Sequence, residues 1–168
     1  DVCSSDLMWE KKVQRVDHRI VSISQPHVRP IKRGKAHADT EFGAKVNISL
    51  VDGFTYVERL SWDAFNEGGD LPDCIEAFRQ RYGHYPAEVL ADQIYATRAN
   101  RKFLKQLGIK LMARPLGRPP NGKKLPGFSA GDRNPVEGKF GQLKRIYGLD
   151  RIPEKLEVTS RTTIYTAI

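Results

Sequence analysis

With 168 residues, the chain has room for one domain with a real core but not for two full ones. Its 39% hydrophobic and 29% charged residues exclude wholesale disorder, and no apolar run reaches membrane-spanning length. The net charge of +8 points to a polyanionic partner, nucleic acid first, and the two cysteines lack the spacing of a disulfide framework or a zinc site. No signal-peptide pattern is visible, so a cytoplasmic setting is expected.

Asp1–Leu7 resembles the translation of a sequencing adapter, so residues 1–7 are set apart as a non-native leader and the domain is expected to span 8–168. Met8–Asp17 is polar and reads as a helix end. Arg19–Ser24 alternates around Ile20 and Ile23, which predicts a short strand. Gln25–Asp39 reads as a basic loop, broken by Pro26, Pro30 and Gly34; its Arg29, Lys32, Arg33 and Lys35 suit phosphates, or simply a solvated connection. Gly43–Val51 is the clearest strand, with Val46, Ile48 and Leu50 on one face and Lys45, Asn47 and Ser49 on the other. Asp52-Gly53 predicts a hairpin turn, with Phe54–Trp62 as the returning strand. After a turn at Asn66–Gly69, Asp70 is expected to cap a helix whose apolar face is Leu71, Cys74, Ile75, Phe78 and Tyr82. Cys74 is then a core residue.

Glu88–Asp92 reads as a short buried strand delivering Asp92 at its carboxyl end. Ala99, Phe103, Leu104 and Leu107 mark a helix closed by Gly108, and Ile109–Ala113 a further strand. The order predicts an α/β fold with an antiparallel start and a parallel continuation. From Arg114 to Arg145, eight basic residues against two acids (Asp132 and Glu137) carry +6 of the chain's charge. Within that stretch Asn134-Pro135 is a helix start, Val136, Phe140, Leu143 and Tyr147 form one apolar stripe, and Gly148 is a stop. Glu137, Phe140 and Lys144 stand at i, i+3 and i+7, so a carboxylate and an ammonium share neighbouring parts of one face. Glu137 also occupies the position of a capping-box glutamate, and Asp92 alone suits a turn or an N-cap. Together, an Asp at a strand end, a Glu on a later helix and phosphate-binding bases suit metal-assisted phosphoryl transfer.

These residues resemble the DDE transposases of bacterial insertion sequences. Ala91-Asp92-Gln93-Ile94-Tyr95 matches the segment around one acid, and Arg133…Glu137…Lys144 meets the Arg-x₃-Glu-x₆-Lys spacing around the last. The tyrosine that often stands three residues before the arginine is replaced by Ala130. Ser22–Pro30, Phe42–Lys45 and Ser61–Leu71 resemble the IS-five type branch.

The resemblance implies an RNase H-like mixed sheet flanked by helices, incomplete because the first strand and its catalytic Asp are missing. Asp17 and Asp52 are the nearby acids, and neither has the family's context. It also implies that Asp92 and Glu137 ligate Mg²⁺ or Mn²⁺ in a two-metal site, and that Arg133 and Lys144 hold DNA phosphates. Lys139, Arg145 and the basic residues Arg29, Lys32, Arg33 and Lys35 are further candidates for DNA contact. The expected partners are double-stranded DNA, as transposon ends and target, and a second copy of the full-length chain; the expected location is the nucleoid. Thr159–Ile168 has strand propensity, but the resemblance makes it a helix. A non-catalytic nucleic-acid-binding module and an RNase H-like nuclease are the competing functions.

Overall fold

A computed structural model of the chain describes residues 4–13, 19–35, 38–113 and 134–168. Its elements are α1 (Ser4–Glu10), β1 (Arg29–Lys35), β2 (Ala38–Gly43), β3 (Lys45–Val51), β4 (Phe54–Ser61), α2 (Leu71–Tyr82), β5 (Glu88–Leu90), α3 (Arg98–Gln106), β6 (Lys110–Met112), α4 (Asn134–Arg145) and α5 (Glu157–Ala167). Two short 3₁₀ turns, Glu67–Gly69 and Gln93–Tyr95, precede α2 and α3. The arrangement is mixed α/β, consistent with the incomplete RNase H-like domain that the resemblance implies. Among the described residues the strands form three two-stranded ladders: β1–β2 and β3–β4 antiparallel, β5–β6 parallel.

The β3–β4 hairpin closes through Asp52 and Gly53, both at positive φ (49° and 88°), the type I′ geometry whose twist matches the strands. Its register slips after Asn47, which faces Arg59 while Ile48 faces Val57, so Glu58 is the extra residue of a β-bulge. On one face Val46, Val57 and Leu60 pack with Val28, Trp62 and Ile164 in a first apolar cluster. On the other lies α2, through a Tyr56–Tyr82 hydroxyl contact of 2.8 Å and a two-pronged Arg81–Glu58 ion pair. A second cluster of Leu71, Ile75, Leu104 and Ile109 joins α2, α3 and β6. Gly83 and Gly108 take the left-handed conformation (φ 78° and 72°) that ends α2 and α3.

Several sequence expectations need correction. Arg19–Ser24 is not a strand: Ile23 is 98% exposed, and the Ser22 hydroxyl accepts from the Gln25 amide, a local turn in place of a ladder. The supposed loop Gln25–Asp39 contains β1, and Pro30 is tolerated because a two-stranded ladder consists of edges, where a missing N–H costs no central pairing. Asn47, on the face of β3 opposite Val46, is 6% exposed and bonds Asp70 and Cys74 at the start of α2. Glu88–Leu90 is a strand but not a buried one, since Glu88 and Leu90 are exposed. Asp70 stands at the start of α2 without a side-chain cap bond, because its carboxylate is taken by Arg59 and Asn47. As the resemblance implies, and against its strand propensity, Thr159–Ala167 is helical, within α5. The Ser160, Thr162 and Thr166 hydroxyls donate to the carbonyls of Leu156, Val158 and Thr162, turning β-branched side chains back onto the helix.

Candidate active site

Asp92 lies two residues beyond β5, solvent-exposed, in an extended conformation (φ −70°, ψ 162°). It caps the second 3₁₀ turn, its carboxylate accepting from the Gln93 amide. The backbone on either side is fixed: the Ala91 amide donates to the Met112 carbonyl at 3.0 Å, and the Tyr95 amide donates to the Asp92 carbonyl at 3.0 Å.

Beneath Asp92 lies a polar network that sequence reasoning missed. The Tyr95 hydroxyl donates to Asn47 Oδ1 at 3.1 Å, and Asn47 Nδ2 donates to Asp70 at 3.4 Å. Asp70, 6% exposed, pairs with Arg59 at 2.7 Å. Asn100, 4% exposed, donates to the carbonyls of Gly68 (2.7 Å) and Tyr95 (2.8 Å), clamping the two 3₁₀ turns together. A Cβ on Gly68 would fall 2.5 Å from the Ile94 carbonyl oxygen, so only glycine permits that approach. Lys45 pairs with Glu67 at 2.9 Å at the edge. Burial, then the neighbouring Glu67 carboxylate, pushes the Tyr95 hydroxyl pKa well above its usual value, so it stays a donor. Burial likewise pushes the Cys74 thiol up to about 12, aided by Glu58, Asp70 and Asp73, so the half-buried Cys74 stays a protonated, unreactive thiol, outside the two apolar clusters. The one local signal for this network was Asn47, set between Val46 and Ile48. Alternation alone cannot show that both faces of β3 are covered.

Glu137 is exposed in the first turn of α4, where the helix dipole favours an anion. Leu143 is 1% exposed and Val136 and Phe140 half-buried, so the expected stripe faces the protein; Tyr147, beyond the helix end, is 58% exposed and leaves it. Lys144 and Arg145 are exposed in the last turn and Lys139 is half-buried. Arg145 Nε donates back to the Gly141 carbonyl at 3.3 Å. Arg29 opens β1 with its guanidinium donating to the Pro26 and Val28 carbonyls. Lys32, Arg33 and Lys35 lie in β1, and their side chains fall outside what the structure describes, as do Arg133, Asp17 and the whole basic stretch 114–133. Asp52 sits in the β3–β4 turn, where positive φ explains an Asp.

The structure therefore gives Asp92 and Glu137 separate, exposed stations at a strand exit and a helix start. Among the described residues no group of three or more His, Cys, Asp or Glu side chains is placed to hold a metal ion. Nor is any described helix long and apolar enough to cross a membrane. A family model described as a transposase DDE domain matches residues 89–168, from within β5 to the last residue, and so spans both acids. No curated protein matches the chain.

Proposed function

We propose, from the match of residues 89–168 to a family model described as a transposase DDE domain, that the chain is part of an enzyme that cuts and rejoins DNA at the ends of an insertion sequence. The observation that carries this reading is that the matched segment contains an exposed Asp just beyond β5 and an exposed Glu opening α4. Both are hard oxygen donors, the kind Mg²⁺ and Mn²⁺ take, and so fit a divalent ion. Such ions, when bound, activate the attacking oxygen and stabilise the leaving one. Asp92 would hold the metal from a backbone fixed by β6 and Tyr95, and Glu137 from the α4 start. Arg133 and Lys144 would offset the charge of the transferring phosphate, with Lys139, Arg145 and the basic residues of β1 along the duplex. Double-stranded DNA is the partner in this reading, and a homodimer the working assembly of the full-length protein.

Two carboxylates are one short of the three that the resemblance calls for, so residues 8–168 are expected to be a partial RNase H-like catalytic domain and silent by themselves. Mixing the purified chain with transposon-end DNA and Mg²⁺ or Mn²⁺ should give binding without nicking. In a version carrying the third acid, Asp92→Asn and Glu137→Gln should each abolish nicking and joining with the fold unchanged. Lys144→Ala should lower the salt slope of DNA binding by about one. Full cleavage by both acid variants would overturn the reading, and loss of fold in either would return that acid to a capping role.

A further inference from the structure

We propose that a second site, remote in sequence from the two acids, grips a phosphate of the DNA backbone; this rests on the DNA reading above. The start of β1, the end of β4 and the first turns of α5 enclose a cavity of about 240 Å³. His27, Arg29, Ser61, Trp62 and Arg161 line it. His27-Val28-Arg29 and Ser61-Trp62-Asp63 belong to the stretches that carry the family likeness upstream of residue 89 without any role in the acid chemistry. The fold brings these stretches, more than thirty positions apart, to one wall.

The chemistry of that wall is donor-rich. Trp62 is 8% exposed, anchored in the first apolar cluster, and its indole Nε1–H has no hydrogen-bond partner among the described residues. Indole nitrogen can only donate, so a buried, unpartnered Trp62 calls for an acceptor. His27 stacks edge-on against Trp62, ring centroids 4.3 Å apart, and its Nε2 is likewise buried without a partner among the described residues. The Ser61 hydroxyl accepts from the Asp63 amide, which leaves its own proton to give. Arg29 bonds its neighbouring carbonyls through Nη1, and its other guanidinium nitrogens retain donors; Arg161 reaches Glu157 only at 3.8 Å. The two acids of the lining, Asp63 and Glu157, are exposed, where solvent screens them, while Trp62 is buried. An oxyanion with several acceptor oxygens satisfies this set, and a phosphodiester is the oxyanion a DNA-acting chain meets along its substrate.

Trp9 and Trp62 are the only tryptophans, so Trp9→Phe leaves the cavity as the sole indole reporter. In that background, a duplex of arbitrary sequence and, separately, inorganic phosphate at high concentration should each change Trp62 emission saturably. Arg29→Gln and Arg161→Gln, checked for native circular dichroism, should each weaken DNA binding about tenfold and lower its salt slope by about one. Arg161→Gln, on α5 and outside β1, keeps the test open if Arg29→Gln disturbs β1. DNA binding with a silent Trp62 and unchanged salt slopes would overturn this site while leaving the proposed function standing. Emission that follows DNA but not phosphate would also overturn it, by assigning the contact to another part of the nucleotide. A response to phosphate without any DNA binding would overturn both the site's assignment and the DNA reading.

Discussion

Asp92 follows a segment tied down by β6, by the Tyr95–Asn47–Asp70–Arg59 chain and by the Asn100 clamp, whereas Glu137 opens a helix whose buried residue is Leu143. The first support is polar and fully cross-linked, fixing the direction of the chain at Asp92. The second is a single apolar stripe on a helix weakened by two internal glycines, Gly138 and Gly141, each costing roughly 0.5–1 kcal/mol relative to alanine. Hydrogen-bonded networks specify geometry, while a short apolar stripe specifies only a face. The difference teaches that the chain around Asp92 is fixed by polar contacts between distant residues, whereas α4 is set against the protein chiefly through Leu143.

The largest effect that tests this contrast is in the core. Leu104→Ala, at 1% exposure between α2, α3 and β6, should cost about 2–5 kcal/mol in urea unfolding. Leu143→Ala, equally buried, should instead release α4, seen as faster amide exchange from Val136 to Arg145 with little loss in the Asp92 segment. Equal protection losses in both segments would break the comparison.

A smaller effect is expected of Tyr95→Phe, which keeps the ring and removes the hydroxyl from Asn47. It should cost about 1–2 kcal/mol and speed exchange at Tyr95 and Ala96, whose amides close the second 3₁₀ turn. Unchanged exchange there would mean that the turn, not the network, holds Asp92.

The effect that is silent at neutral pH is in alkaline stability. The Cys74 thiol is raised from 9.0 to about 12, and Tyr95 is raised by burial as well. Stability is therefore fully present below about pH 9, where the unfolded thiol is still protonated, and falls as pH climbs towards 12 because the unfolded chain gives up its proton first. Cys74→Ala should flatten the early part of that fall and Tyr95→Phe the later part. A fall identical in wild type and both variants would place the titration elsewhere.

Much of this frame was legible in the sequence because its signals are local. Asp52-Gly53 fixed a hairpin by backbone preference, Gly83 and Gly108 ended helices, and Asn134-Pro135 opened α4. Elements that depend on partners distant in sequence were not legible. The burial of Asn47 could not be read from alternation, which records two faces and not what covers each. Arg29–Lys35 looked like a loop because Pro30 and Gly34 carry strong local meaning, and only pairing with Ala38–Gly43 overrides it. Ile20 and Ile23 looked like a strand, yet no described segment pairs with them. At the candidate site the two acids are proposed from their spacing and resemblance, while the Tyr95–Asn47 and Asn100–Gly68 contacts were not legible, since they join residues 48 and 32 positions apart.

The proposal that Asp92 and Glu137 share a divalent ion is open to a direct measurement on the chain itself. Mn²⁺ added in small amounts to isotope-labelled protein broadens the amide resonances nearest the bound ion. We expect Ala91–Gln93 and Val136–Gly138 to broaden together, and Asp92→Asn or Glu137→Gln to relieve the broadening at both segments at once. Broadening confined to one segment, or unaffected by either substitution, would contradict a shared metal site.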